Sequence, residues 1–241
     1  MRKIIVIIRE TFPTNEVLTK ENIKEKFILN PYDEYALLQA RKIKEKVKTE
    51  IICLFLSKRK SQYNLRTALA LGADRGIFFL CQNMKISEIA KNIANEIQKE
   101  KYDDIFMGIR DVNNDRGELP SHLALLLNQP LYSHILSVDY SKNYIAIQEK
   151  DESIDTLKIE NSGIFAFSQN VYEAEYPSIM NILSIQNKEI KTIKYINKKI
   201  ENNTKVIYQD RKRKQIIYKD LNSQEGTLLL LEYLQKWKLV D

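Results

Sequence analysis

Four short, nearly unbroken apolar runs punctuate the first half of the chain: Ile4 to Ile8, Glu50 to Leu56, Gly76 to Leu80 and Asp104 to Met107. Each has strand length, and their Ile, Val, Leu and Phe content is the pattern of strands buried on both faces. Segments with helical spacing lie between them. Ala36, Leu37, Ala40, Ile43 and Val47 make one apolar face after the turn signal Asn30-Pro31, with Asp33 placed to N-cap that helix. Leu65, Ala68, Leu69 and Leu71 make a second, stopped by Gly72. Ile86, Ile89, Ala90, Ile93, Ala94 and Ile97 make a third, and a fourth helix is expected from about Glu118 to Leu127. Alternation of this kind predicts right-handed βαβ units, hence an α/β fold with a Rossmann-like parallel sheet flanked by helices.

The pattern changes after Pro130. Ile135 to Tyr140, Tyr144 to Gln148 and Ile154 to Ile159 read as short strands separated by Ser141-Lys142-Asn143 and by Lys150-Asp151-Glu152-Ser153, an antiparallel meander appended to the main sheet. Gly163 to Phe167 returns as a buried strand. From about Tyr172 to Lys219 no strong periodicity is visible, which predicts an extended C-terminal arm. A last helix runs from about Ser223 to Trp237, with Leu228, Leu231, Leu234 and Trp237 on or near one face. The expected division is an α/β domain over residues 1–185 and an arm with its helix over 186–241.

Composition excludes several classes. No apolar stretch approaches the ~20 residues that span a bilayer, so membrane insertion is not expected. Met1-Arg2-Lys3 and the following Ile run are too short for a signal peptide and meet acidic Glu10. Cys53 and Cys81 have no metal-ligand spacing and read as free thiols, so the expected setting is cytoplasmic. The net charge of +6 is concentrated between Lys188 and Lys219, where eleven Lys or Arg face three acids. Such a segment suggests an anionic partner, yet Tyr195, Tyr208 and Tyr218 are too few to stack bases and no RNA-binding signature is present. Nucleic acid is not the expected partner.

Catalytic motifs are missing too. There is no G-x-S-x-G, HExxH, P-loop or G-x-G-x-x-G, and His122 and His134 read as surface or structural residues. What remains is three loops at the expected C-terminal ends of parallel strands, where open α/β sheets bind ligands. One leads from Ile8 to Asn30-Pro31-Tyr32-Asp33, and the second is Ser57-Lys58-Arg59. The third, Gly108 to Gly117, is rich in Asn, Asp and Gly and feeds a helix N-terminus, an arrangement that favours a phosphate.

These residues also carry a resemblance. Asn30-Pro31-Tyr32-Asp33-Glu34-Tyr35-Ala36 resembles the N-P-x-D-x-x-A segment of the electron transfer flavoprotein beta subunit family. Ala68-Leu69-Ala70-Leu71-Gly72-Ala73-Asp74-Arg75-Gly76-Ile77 is similar to that family's A-L-A-M-G-A-D-R-x-I. Gly108 to Pro120 falls where the family has G-x-Q-x-x-D-x-D-x-x-Q, and Glu173 to Ile179 resembles its E-P-R-Y-x-x-L. The matches keep family order across nearly the whole chain.

The resemblance implies an adenine nucleotide alpha hydrolase-like fold without hydrolysis, and an electron carrier rather than an enzyme. It implies a heterodimer with an alpha subunit that carries FAD, taking electrons from flavin dehydrogenases such as acyl-CoA dehydrogenase. The beta subunit itself would hold AMP or a second FAD. Carried over by position, that nucleotide would meet Ile7, Asn30, Pro31, Tyr32, Asp33 and Leu56, together with Gly108, Arg110, Asn113, Asn114, Asp115, Arg116, Gly117, Glu118 and Leu119. The dehydrogenase would dock on Tyr176, Ile179 and Met180, with Ile179 as the apolar anchor.

The departures mark a divergent member. Asn113 replaces the loop's first Asp, Arg116 its small or hydroxyl residue, Glu118 its second Gln and Arg110 its first. Glu118 brings a negative charge near an expected phosphate, which Arg110 and Arg116 would offset. In the docking loop Ala174 replaces Pro and Glu175 replaces Arg, a charge reversal that penalises an unadapted partner. These changes motivate an alternative reading, a non-redox adenine-nucleotide-binding module of the same fold.

Overall fold

The Ile run becomes the middle of a mixed sheet. In the computed structural model, which describes residues 1–12, 27–112, 116–141, 144–151, 153–168, 176–196, 218–219 and 221–237, β1 (Arg2–Thr11) lies between two parallel neighbours. These are β3 (Thr49–Ser57) on one side and β5 (Asp104–Gly108) on the other. A two-residue strand, β2 (Ile28–Leu29), pairs antiparallel with the end of β1. Outward from β3 come β4 (Arg75–Gln82) and then β10 (Ile190–Ile196), both parallel. Outward from β5 come β9 (Ile164–Phe167) and β6 (Leu131–Asp139), also parallel. The antiparallel β7 (Ile145–Glu149) and β8 (Ile154–Lys158) finish that side. The expected meander is therefore present, and it joins the main sheet through β6.

The two faces of β1 sort by residue parity, as strand geometry requires. Ile4, Val6 and Ile8 pack under α1 (Pro31–Lys46) and α2 (Tyr63–Ala70). Ile5 and Ile7 pack under α3 (Ile86–Ile97) and α4 (Glu118–Leu127). All five are fully buried, and each stabilises the fold by about 1.5–3 kcal/mol relative to exposure. The expected helices are present, and α4 has the expected bounds.

Two expectations change. Asp33 is not the N-cap of α1: Asn30 holds that position, Pro31 opens the helix, and the Asp33 side chain is fully buried under the sheet edge. A charged partner on β1, described below, makes burial of the carboxylate favourable. Within the stretch that shows no periodicity, the structure has a short helix α5 (Ile179–Ser184), a single 3-10 turn over Ile185–Asn187, and β10. Strand β10 lacks clean alternation because it is an edge strand. Lys188 fastens its start to the end of α2, donating from Nζ to the carbonyls of Leu69 (2.8 Å) and Ala73 (2.7 Å). Tyr195 stacks on Phe79 and donates its hydroxyl to Glu96 on α3 (3.1 Å).

The chain divides into two compact units, residues 1–200 and 201–241. Most of the basic arm, 197–217, lies outside the described residues. In the second unit α6 (Ser223–Lys236) is capped by Asn222, whose side chain accepts from the Glu225 N–H while Glu225 accepts from the Asn222 N–H. Its Leu228, Leu230 and Leu231 are exposed, as is Trp237 just beyond it.

Candidate functional site

The order β4-β3-β1-β5 places the first two βα crossovers on one side of β1 and the next strand on the other. The switch point of this open sheet is therefore the gap between the C-terminal ends of β1 and β5, the position where such folds take ligands. A cleft of about 990 Å³ opens beside it, at the upper end of the range for small-molecule sites. A smaller cleft of about 280 Å³ lies between α1 and the end of β6, away from the switch point.

The ends of β1, β3 and β4, the start of α3 and the start of α4 all contribute to the large cleft. Its floor includes Leu56, Cys81, Met84 and Ile89. Burial pushes the Cys81 thiol up to about 11 despite nearby Lys58, so it forms a neutral wall. At one side the loop after β3 is latched to β1. The Arg59 guanidinium donates to Glu10 (Nη2 to Oε2, 2.9 Å) and lies 3.4 Å over the Phe27 ring, while Ser57 Oγ donates to Glu10 Oε1 at 2.8 Å. At the other side stands the first turn of α4. Gly117, at φ 59°, makes the left-handed turn into that helix, and a Cβ there would meet the Ile109 carbonyl oxygen at 3.0 Å. The first N–H groups of α4 lack intrahelical acceptors and carry the positive end of the helix dipole. Lys58, Lys85 and Arg116 line the rim, with Glu118 close to Arg116 (3.8 Å).

Arg9 ties the two halves of the switch point together. Its Nε donates to Asp33 Oδ2 (2.9 Å), and its Nη2 serves Asp33 Oδ1 (2.7 Å) and the carbonyls of Gly108 and Arg110 (3.0 Å each). Asp33 also accepts from the N–H of Arg9 (2.9 Å) and of Gly108 (2.7 Å). Asn30 extends the clamp, its amide donating to the Arg110 carbonyl at 2.9 Å. Gly108 is obligatory for this approach, since a Cβ there would stand 2.4 Å from Tyr32 Cβ. Burial opposes the Arg9 charge, but the carboxylates of Asp33 and Asp111 outweigh it and hold the guanidinium firmly protonated.

Comparison with known proteins decides the family. The family model for the electron transfer flavoprotein domain matches residues 18–195. The electron transfer flavoprotein subunit beta of Dictyostelium discoideum is 30% identical over 174 residues, covering 71% of this chain and 70% of that one. The chain belongs to the electron transfer flavoprotein beta subunit family. The Mus musculus subunit beta is 28% identical over 176 residues (70% and 69% covered). That of Thermoanaerobacterium thermosaccharolyticum is 26% identical over 196 residues (77% and 75% covered). No helix among the described residues is long and apolar enough to cross a membrane, and no group of His, Cys, Asp or Glu there is arranged to hold a metal ion.

The residues carried over from the beta subunit family fall into three sets. Leu56, Arg116, Gly117, Glu118 and Leu119 line the cleft. Asn30, Pro31, Tyr32, Asp33, Gly108 and Arg110 form the clamp on the far side of Arg9; the Arg110 guanidinium rests on the Tyr32 hydroxyl at 3.0–3.1 Å. Ile7 is fully buried in the core below α3 and α4. Asn113, Asn114 and Asp115 lie outside the described residues, as do Ala174 and Glu175. Tyr176, Ile179 and Met180 stand in the open, 90%, 76% and 75% exposed.

Sequence reasoning missed Arg9, Glu10, Phe12, Phe27, Met84 and His122 in the cleft wall. A basic residue that ends an apolar strand was the one available signal for Arg9.

Proposed function

We propose that this chain works as the beta subunit of an electron transfer flavoprotein, pairing with an alpha subunit and holding an adenylate, as AMP or as part of FAD, in the large cleft. The observation that carries the reading is the cleft's chemistry. An apolar floor at Leu56, Met84 and Ile89 suits a purine ring, and a rim with Lys58, Lys85, Arg116 and the α4 N-terminus suits a phosphate. In this reading Leu56 and the main chain at the strand ends contact the base, while the Gly117–Leu119 amides and rim cations hold the phosphate. The bound flavin of the heterodimer supplies the one-electron and hydride chemistry; this chain positions and shields it.

Two surfaces support the partner assignments. The exposed Tyr176, Ile179 and Met180, continued by Ile182 and Leu183, make an apolar knob suited to a pocket on a flavin dehydrogenase, with Ile179 as anchor. The exposed leucines of α6 suit contact with the alpha subunit. In this reading the nucleotide-binding domain expected over residues 1–185 gains β10 from the segment expected as arm, and the rest of 186–241 contacts the partner.

The test is the flavin and AMP content of the chain purified with an alpha subunit. One flavin plus one AMP, or two flavins, per heterodimer is expected. A colourless chain that associates with no alpha subunit would leave the non-redox nucleotide-binding module as the reading.

A further inference from the structure

We propose that Arg9 is a two-edged residue: one edge of its guanidinium fixes the loop after β5, and the other, Nη1, is the phosphate-recognising donor of the cleft. The inference rests on the adenylate reading above and adds to it the residue that distinguishes a nucleotide from its nucleoside. Arg9 sits at the sheet's switch point and belongs both to the clamp and to the cleft lining. Its Nε and Nη2 are committed to Asp33, Gly108 and Arg110. Its Nη1 makes no hydrogen bond among the described residues; the nearest carboxylate oxygen, Asp111 Oδ2, is 3.9 Å away.

On a side chain only 11% exposed, an Nη1 held by nothing stronger than this long ion pair with Asp111, which lines the same cleft, is a donor that a ligand there can take. An anionic oxygen is the acceptor a guanidinium edge prefers, and a planar fork can hold a carboxylate on one edge while meeting a phosphate with the other. A lysine cannot do both. Its single ammonium would follow the buried Asp33 and leave the cleft side without a donor.

The experiment compares AMP and adenosine binding by calorimetry to the chain purified with its alpha subunit and stripped of nucleotide. Wild type is expected to bind AMP well above adenosine. Arg9→Lys should lose about tenfold or more in AMP affinity while adenosine changes by less than about twofold. Because a misplaced ammonium beside the buried Asp33 endangers folding, the denaturant midpoint of Arg9→Lys is measured alongside, and the selective loss of AMP should be present in the folded fraction. Asn30→Ala, which loosens the loop but spares the guanidinium, should weaken both ligands alike. Equal losses of AMP and adenosine in Arg9→Lys would make Arg9 purely structural and overturn the proposal, as would an undiminished preference for AMP. Failure of wild type to bind either compound overturns instead the adenylate reading on which it stands.

Discussion

Strand β1 carries an arginine near each end, and each arginine meets a fully buried aspartate from another element, but the two pairs do different things. At the N-terminal end Asp104 accepts twice from Arg2 (3.0 and 2.8 Å), from the hydroxyls of Tyr140 (2.8 Å) and Tyr144 (2.7 Å), and from the Gly163 N–H (3.2 Å). The Arg2 guanidinium is roofed by the Tyr140 ring at 3.8 Å. Every lone pair of the carboxylate has a donor and the aromatic roof closes the site, so this end is a rivet. At the C-terminal end the Arg9–Asp33 pair gathers strand, helix and loop and leaves an edge of the guanidinium beside a cleft. One pairing type closes an end of the sheet and builds a site at the other, because helix N-termini and loops of parallel βα units converge only at the C-terminal edge.

The largest effect expected from this contrast belongs to the rivet. Asp104→Asn replaces two acceptor oxygens with one acceptor and one donor, which confronts Arg2 or a tyrosine hydroxyl with a second donor. Removing one partner of a buried pair costs about 3–5 kcal/mol. The denaturant midpoint should fall accordingly, while the folded fraction keeps wild-type AMP affinity. A weakened affinity in the folded fraction would show that the two ends are coupled.

Gly108→Ala should reverse that profile. The new methyl collides with the α1 start at Tyr32 and with Asp33 Oδ1 (2.7 Å), so strand and helix must part. Overpacking of this kind costs about 2–3 kcal/mol, less than losing Asp104, but the displaced loop leads to α4 and the cleft. Ligand affinity should drop along with stability. An intact cleft in this variant would mean that the loop's course does not depend on the close contact.

Tyr144→Phe trims the rivet by one hydroxyl and leaves Arg2, Tyr140 and Gly163 on Asp104. Loss of a single bond to a charged acceptor predicts about 1–2 kcal/mol in an unfolding titration, with no change at the cleft. A loss as large as that of Asp104→Asn would show that the four donor residues act as one unit rather than through separable bonds.

How much of this contrast was legible beforehand follows the range of each signal. The core strands announce themselves through Ile4 to Ile8 and the runs after it, because burial on both faces is written into consecutive residues. The cleft loops Ser57-Lys58-Arg59 and Gly108 to Gly117 were readable as strand ends, and the family resemblance supplied Leu56 and Gly117 to Leu119. Arg9 was not readable. At the end of an apolar run a basic residue looks like a strand emerging into solvent, and its partner lies 24 residues on. Asp33 in turn carries the local signature of a helix cap, which a long-range charge pair overrode. Strand β10 was hidden for a different reason: as an edge strand it buries few side chains, and its anchors, Lys188 and Tyr195, are polar or amphipathic.

The smallest effect concerns the remaining charges at the N-terminal edge, where ion pairs lace adjacent strands. Glu50 on β3 meets Lys3 on β1 (3.2 Å) and Arg75 on β4 (3.0 Å), and Arg75 continues to Glu100 (2.8 Å). Burial by itself would raise the Glu50 carboxyl, but hydrogen bonds and charge from Arg75 and Lys3 outweigh it and hold the group below the usual carboxylate range. A folded-state value below the unfolded one means that Glu50 contributes its full stabilisation above the unfolded value of about 4.3 and loses it as pH falls further. Partly exposed pairs of this sort contribute about 0.5–1 kcal/mol. The difference in unfolding free energy between wild type and Glu50→Gln should therefore be constant from pH 7 down to about pH 5 and shrink below it. A difference that persists into acid would mean that the side chain stabilises the edge by packing and neutral hydrogen bonds. The lacing by Glu50 would then rest on shape, leaving Arg2 and Asp104 as the pair that closes this end by charge.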